Sequence, residues 1–219
     1  MIFDCDGVLV DSEAVYLTVE LAALAELGVR YDRTSYVRTF MGLSPDRWRR
    51  DLAADVEART GAPLPPAFFV ELDATLRRAI YDHLRPVPGA REAVAAVDGP
   101  RCVASSTPWP RLTWKLVRTG LDDLFGPHVY SADAVDHGKP APDLFWHAAA
   151  GMGIDAARCV VVEDSANGVL AGVAAGMTVI GFVGGGHCVD RHADMLRDAG
   201  ATAVIADLAD LGSAVDAAS

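Results

Sequence analysis

The chain has 219 residues, 51% hydrophobic and 22% charged, enough apolar material for a sizeable core. Its formal net charge of −11 argues against nucleic acid and anionic membrane as partners, since both require a basic face. No apolar run approaches the ~20 residues of a membrane span, and no basic-then-apolar leader opens the chain. Four cysteines (Cys5, Cys102, Cys159, Cys188) stand far apart without C-x-x-C spacing. They read as reduced residues of a cytoplasmic protein.

In chain order, Ile2-Phe3 is the stub of a first strand, followed at once by Asp4-Cys5-Asp6-Gly7. The stretch 14–85 then carries helix signals and no convincing strand. Leu17, Leu21 and Leu24 recur at i, i+4 and i+7, and Gly28 closes that helix. Ser44-Pro45-Asp46 opens a second helix with Trp48, Leu52 and Val56 on its apolar face. Pro65-Pro66 precedes a third, with Phe69, Leu72, Leu76 and Ile80 on one side.

From residue 86 onward, short apolar runs alternate with helical patterns. Strands are expected at 101–105, 128–131, 159–163, 178–183 and 202–205. Helices begin near Pro88, Pro110 and Ser165, the last two stopping at Gly120 and Gly176. The tail 214–219 is expected to fray. Alternating strands and helices imply an α/β fold: a Rossmann-like, doubly wound parallel sheet with an inserted all-helical cap domain. The core domain is assigned to 1–13 and 86–219, and the cap to 14–85.

Ligands of open α/β sheets bind at the carboxyl ends of the strands, and three further motifs follow predicted strands. Ser105-Ser106-Thr107-Pro108 puts hydroxyls at a turn into a helix, where they can hold a phosphate or simply cap the helix. Gly138-Lys139-Pro140 restrains a lysine. Glu163-Asp164 ends the most apolar strand with two adjacent acids, where a cap requires one. Asp4, Asp6, Glu163 and Asp164 converging at one sheet edge would repel strongly without a cation. An oxygen site of this kind suits Mg²⁺.

Taken in order, D-C-D-G-V-L-V-D-S-E, S-S-T-P, G-K-P-A-P-D and E-D-S-A-N-G-V-L-A-G resemble the haloacid dehalogenase superfamily of phosphohydrolases. The helical insert resembles the small cap of its β-phosphoglucomutase-like branch. The resemblance implies that Asp4 is the nucleophile and that Asp6 is the acid, then the base. It implies Mg²⁺ on Asp4, the Asp6 carbonyl and Asp164, with Glu163 ligating directly or through water. Ser105 would bind phosphate with Ser106 and Thr107 nearby, and Lys139 would stabilise nucleophile and transferred group alike. The implied activity is hydrolysis of a small phosphorylated metabolite (sugar, polyol or sugar-acid phosphate) by a monomer or weak dimer.

Dehalogenases of the superfamily generally lack the second acid, and phosphonate hydrolases recruit a cap lysine, which 14–85 lacks. Receivers carry their phosphoacceptor deeper in the chain. Mutases of the family place a histidine near the position of Tyr16, so a phosphatase is expected rather than a mutase or an idle phosphate-binding regulator. Gly42-Leu43-Ser44 resembles the specificity loop, with Arg47, Arg77 and Arg78 as possible anion contacts. Each arginine alone reads as well as a solvated helix face. His187, Cys188, Asp190 and His192 invite a zinc reading, but irregular spacing and a missing second half favour a flexible loop beside the site.

Overall fold

A computed structural model describes residues 1–41, 43 and 45–218. The chain divides into two compact units, Met1–Asp11 with Arg85–Ser219, and Ser12–Leu84. These divisions fall within two residues of the boundaries assigned from sequence. The first falls earlier because helix α1 (Ser12–Glu26) starts at a buried serine. The two crossings lie side by side in the first unit: the Asp11 N–H donates to the Arg85 carbonyl at 3.0 Å, and Val10 bridges Pro86.

The helical unit holds α1, α2 (Arg33–Phe40), α3 (Pro45–Thr60) and α4 (Phe68–His83). Leu17 and Leu24 of α1, Leu52 and Val56 of α3, and Leu72 and Ile80 of α4 are buried, as their spacing predicts. Sequence periodicity did not reveal α2. It is eight residues long, and its start is a side-chain cap: Asp32 accepts the Ser35 N–H at 2.9 Å. Tyr36, Val37 and Phe40 anchor it.

One buried group in this unit is acidic. Glu20 of α1 accepts from the Tyr36 hydroxyl at 2.9 Å, yet burial pushes its pKa from 4.5 up to about 8. The acid is protonated in the fold and ionised in the unfolded chain, so stability is lost as pH rises from 4.5 to about 8. The slope is ~1.4 kcal/mol per pH unit. Glu20→Gln should remove that slope. Urea unfolding near neutral pH and in mild acid should differ for the parent and agree for the variant. Equal slopes in both would mean that Glu20 is hydrated.

The other unit continues through β1 (Ile2–Phe3), α5 (Ala90–Ala95), β2 (Cys102–Ser105), α6 (Trp109–Thr119), β3 (Val129–Ser131) and α7 (Asp143–Met152). Then come β4 (Val160–Glu163), α8 (Ala166–Ala174), β5 (Thr178–Phe182), α9 (His192–Asp198), β6 (Ala203–Ile205) and α10 (Leu211–Ala218). All pairings are parallel, in the order β3-β2-β1-β4-β5-β6. Parallel strands covered on both faces must be apolar throughout, which explains the valine runs. Ile2, Phe3, Val161 and Val162 are fully buried. Contrary to the expected fraying, the carboxyl-terminal residues are helical to Ala218, and buried Leu211 anchors the start of α10.

Chain direction across the sheet reverses between β1 and β4, the topological switch point where such sheets bind ligands. The register there, Ile2 opposite Val161 and Phe3 opposite Val162, brings the acids that follow the two strands to one edge. The Asp4 N–H extends the ladder to the Val162 carbonyl at 3.0 Å.

Candidate active site

Lys139 joins the two strand ends. Its Nζ lies 2.6 Å from Asp4 Oδ1 and 2.6 Å from Glu163 Oε1, and it donates to the Ala104 carbonyl at 3.1 Å. All three charged side chains are at least nine-tenths buried. Burial disfavours the ammonium, but Asp4 and Glu163 outweigh it and hold the Lys139 pKa above its ordinary value. The second oxygen of Glu163 accepts from the Ser165 N–H and hydroxyl, both at 3.0 Å. Ser165, rather than either acid, caps α8 by accepting the Gly168 N–H. Gly168 has to be glycine, because a Cβ there would collide with the Glu163 carboxylate.

Asp6 is held by a second set. The Thr107 hydroxyl donates to its Oδ2 at 2.6 Å, Ser105 Oγ lies at 3.5 Å, and Lys115 Nζ pairs with Oδ1. The Ser105 hydroxyl also accepts the Thr107 N–H at 3.0 Å. That bond closes the turn, so the capping and ligand-binding readings of this motif are compatible. Ser106 is exposed.

Lys115 escaped the sequence reading because it sits on α6, outside every motif. Yet it is only 1% exposed. A signal was available: among 19 basic residues just two are lysines, Lys115 and Lys139, and every other one is arginine. Both lysines lie at this edge, each a compact point charge against buried carboxylates.

With Asp4, Asp6, Glu163 and Asp164 all ionised, two ammonium groups leave the centre two positive charges short. Burial, together with the neighbouring carboxylates, pushes Asp4 and Asp164 well above the carboxylate range, against the pull of Lys139. One divalent cation would supply that charge, and the donors are oxygens, the preference of Mg²⁺. Gly7, at φ +82°, approaches Asp164 so closely that a Cβ would strike its Oδ2.

The loop after β5 closes on the same acid. His187 Nε2 lies 3.0 Å from Asp164 Oδ2, and His192 Nε2 lies 2.7 Å from the Asp164 carbonyl oxygen. The Gly186 N–H donates to Asp11 at 3.0 Å. The sequence reading favoured a flexible loop, whereas both histidines are buried and bonded.

The remaining predicted residues belong to the helical unit. Arg47 pairs with Asp51 one turn on, at 3.2 Å, and Arg77 donates to the Asp73 carbonyl of its own helix at 3.3 Å. Arg78 is exposed, while Tyr16 and Leu43 are half-buried. Gly42 and Ser44 lie outside the described residues. Trp48 packs edge-on against Phe69 at 5.6 Å.

A doubly wound sheet with an acid-and-lysine centre at its switch point makes this an α/β protein of the kind that works at strand ends. The chain belongs to the haloacid dehalogenase-like hydrolase family, whose model matches residues 1–176. A conserved haloacid dehalogenase-like protein of unknown function from Agrobacterium tumefaciens strain C58 superposes with a TM-score of 0.90 at 38% identity. The match covers 99% of this chain and 96% of that one. Hexitol phosphatase B of Escherichia coli K12 is 34% identical over 185 residues, 82% of this chain and 81% of that protein. The 6-phosphogluconate phosphatase of the same organism is 28% identical over 191 residues, 87% and 82% of the respective lengths.

Proposed function

We propose that the chain is a Mg²⁺-dependent phosphatase of phosphorylated carbohydrates, including polyol or sugar-acid phosphates, working through an aspartyl-phosphate on Asp4. The observation that carries the reading is Lys139, buried between the Asp4 and Glu163 carboxylates at 2.6 Å from each. A phosphate dianion is repelled by carboxylate charge at this edge until that charge is neutralised. Asp4, the backbone carbonyl of Asp6 and Asp164 would hold Mg²⁺, which supplies the neutralising charge for the phosphoryl oxygens. Both Glu163 oxygens are engaged by Lys139 and Ser165, so Glu163 orients the lysine and would act on a bound ion through water.

Asp4 attacks phosphorus while Asp6 gives a proton to the departing alkoxide oxygen. Asp6 then takes a proton from the water that attacks the acyl phosphate, releasing phosphate and regenerating Asp4. Ser105, Ser106 and Thr107 offer donors to the phosphoryl oxygens, and Lys139 stabilises charge on Asp4 and the transferred group. Lys115 and Thr107 position the Asp6 carboxylate.

The substrate class rests on the relatives named for hexitol and 6-phosphogluconate phosphatase activities. Tyr16, Leu43, Arg47, Arg77 and Arg78, with Gly42 and Ser44, are proposed to select among such substrates. Arg47 would exchange Asp51 for a second anion. Tyr16 at the mutase histidine position favours transfer to water over transfer to a second sugar hydroxyl.

The test is phosphate release from a panel of sugar, polyol and sugar-acid phosphates. Chelation should abolish it, Mg²⁺ should restore it, and Ca²⁺ should support it poorly because its coordination is looser and higher. Full activity in a chelated preparation would sink the metal assignment, and no release from any phosphomonoester would sink the phosphatase.

A further inference from the structure

We propose a second cation site beside the hydrolytic centre, made by His187, Cys188 and His192, for a borderline-soft divalent ion such as Zn²⁺. One ligand atom from each of the three residues lies within 4.8 Å of the others. Cys188 Sγ is 3.7 Å from His187 Nε2, which is itself 3.0 Å from Asp164 Oδ2. A tetrahedral zinc ion bound by nitrogen, sulfur and oxygen holds its donors roughly 3.3–3.6 Å apart. The cysteine–histidine edge therefore needs a shift of less than about an ångström.

The surroundings fit. The His192 Nε2–H donates to the Asp164 carbonyl at 2.7 Å, the kind of outer contact that fixes the tautomer of a metal-binding imidazole and leaves the lone pair on Nδ1. The loop is tied in place through Gly186 and Asp11. Cys188 is a free thiol, so an ion must displace its proton to bind as thiolate. A thiophilic ion can do this, whereas Mg²⁺, which prefers oxygen and keeps its waters, cannot. The two sites thus sort their ions by ligand softness.

They also meet at one residue. An ion on His187 would break the 3.0 Å contact of its Nε2 with the Asp164 carboxylate that the proposed function gives to Mg²⁺, so Zn²⁺ should inhibit by disturbing Asp164. That consequence rests on the proposed function; the binding site itself does not.

The 219-residue chain, stripped with chelator and then saturated with Mg²⁺, would be titrated with Co²⁺ and Zn²⁺. We expect one equivalent of Co²⁺ to give tetrahedral d–d bands with a thiolate-to-cobalt charge-transfer band. A chromophoric chelator should report Zn²⁺ binding that weakens at least about tenfold in Cys188→Ser and in His192→Ala. Cys188→Ser should keep parental Mg²⁺-supported turnover and lose sensitivity to Zn²⁺. Absence of the charge-transfer band in the parent protein would overturn the site without recourse to any variant. Parental Zn²⁺ affinity in both variants would do so too, placing the ion on the hydrolytic carboxylates. Failure of Mg²⁺-supported hydrolysis with the cobalt spectrum intact would instead strike the phosphatase reading.

Discussion

Asp4→Asn should abolish turnover and leave no covalent adduct with any phosphomonoester, whereas Asp6→Asn should charge once and stop. Their surroundings separate the two acids. Asp4 is paired to Lys139 at the end of β1, and Asp6 is held among Lys115, Thr107 and Ser105. Removing the Asp4 carboxylate removes the attacking atom itself. Removing that of Asp6 leaves the attacker but takes away the proton donor and the later base. With a leaving group that needs no proton, such as p-nitrophenolate, the Asp6 variant should still phosphorylate Asp4. Hydrolysis of the adduct then lacks general-base help worth ~10²–10⁴-fold, so phospho-enzyme should accumulate in single-turnover mass spectrometry. Near-normal turnover in both variants would leave these acids with a structural role alone. Two dead variants without an adduct would reduce Asp6 to a metal-binding role.

Lys139→Met should lower kcat/KM by roughly 3 kcal/mol of transition-state stabilisation or more, the scale of a single oxyanion donor in a water-excluded site. The substitution keeps an unbranched side chain, one atom shorter, and removes its charge. Two buried carboxylates, Asp4 and Glu163, then lose their partner at 2.6 Å. Breaking a buried pair from one side typically costs 3–5 kcal/mol, so the thermal midpoint should fall as well. The two effects separate by titrating Mg²⁺: the ion can repair charge balance and stability, but it does not replace the ammonium on the phosphoryl oxygens. A fall in kcat/KM of less than tenfold in folded, Mg²⁺-saturated variant would make Lys139 an ordinary turn residue.

Four local motifs, each following an apolar run, made the parallel sheet and most of its edge legible in the sequence. Such signals are local by nature: valine runs bounded by turns, a glycine after an acid, a serine before a helix. The helices with sustained apolar spacing were legible for the same reason. Helix α2 was not, since a side-chain cap and three anchors define its eight residues. Nor was the persistence of the carboxyl-terminal helix, which begins at a buried Leu211.

What the sequence by itself determined was the order of chemistry-bearing residues and the strand ends on which they stand. The tertiary structure alone decided which groups share charge. Lys115 finds Asp6 across 109 residues of chain, and no spacing rule links the two. His187 and His192 read as loop residues until the turn after β5 folds them onto Asp164, 28 residues before His192 in sequence. The physical reason is the same in both cases. A buried charge or imidazole is stable only against the partner that compensates it, and that partner lies on an element brought alongside by the sheet, not by the local sequence.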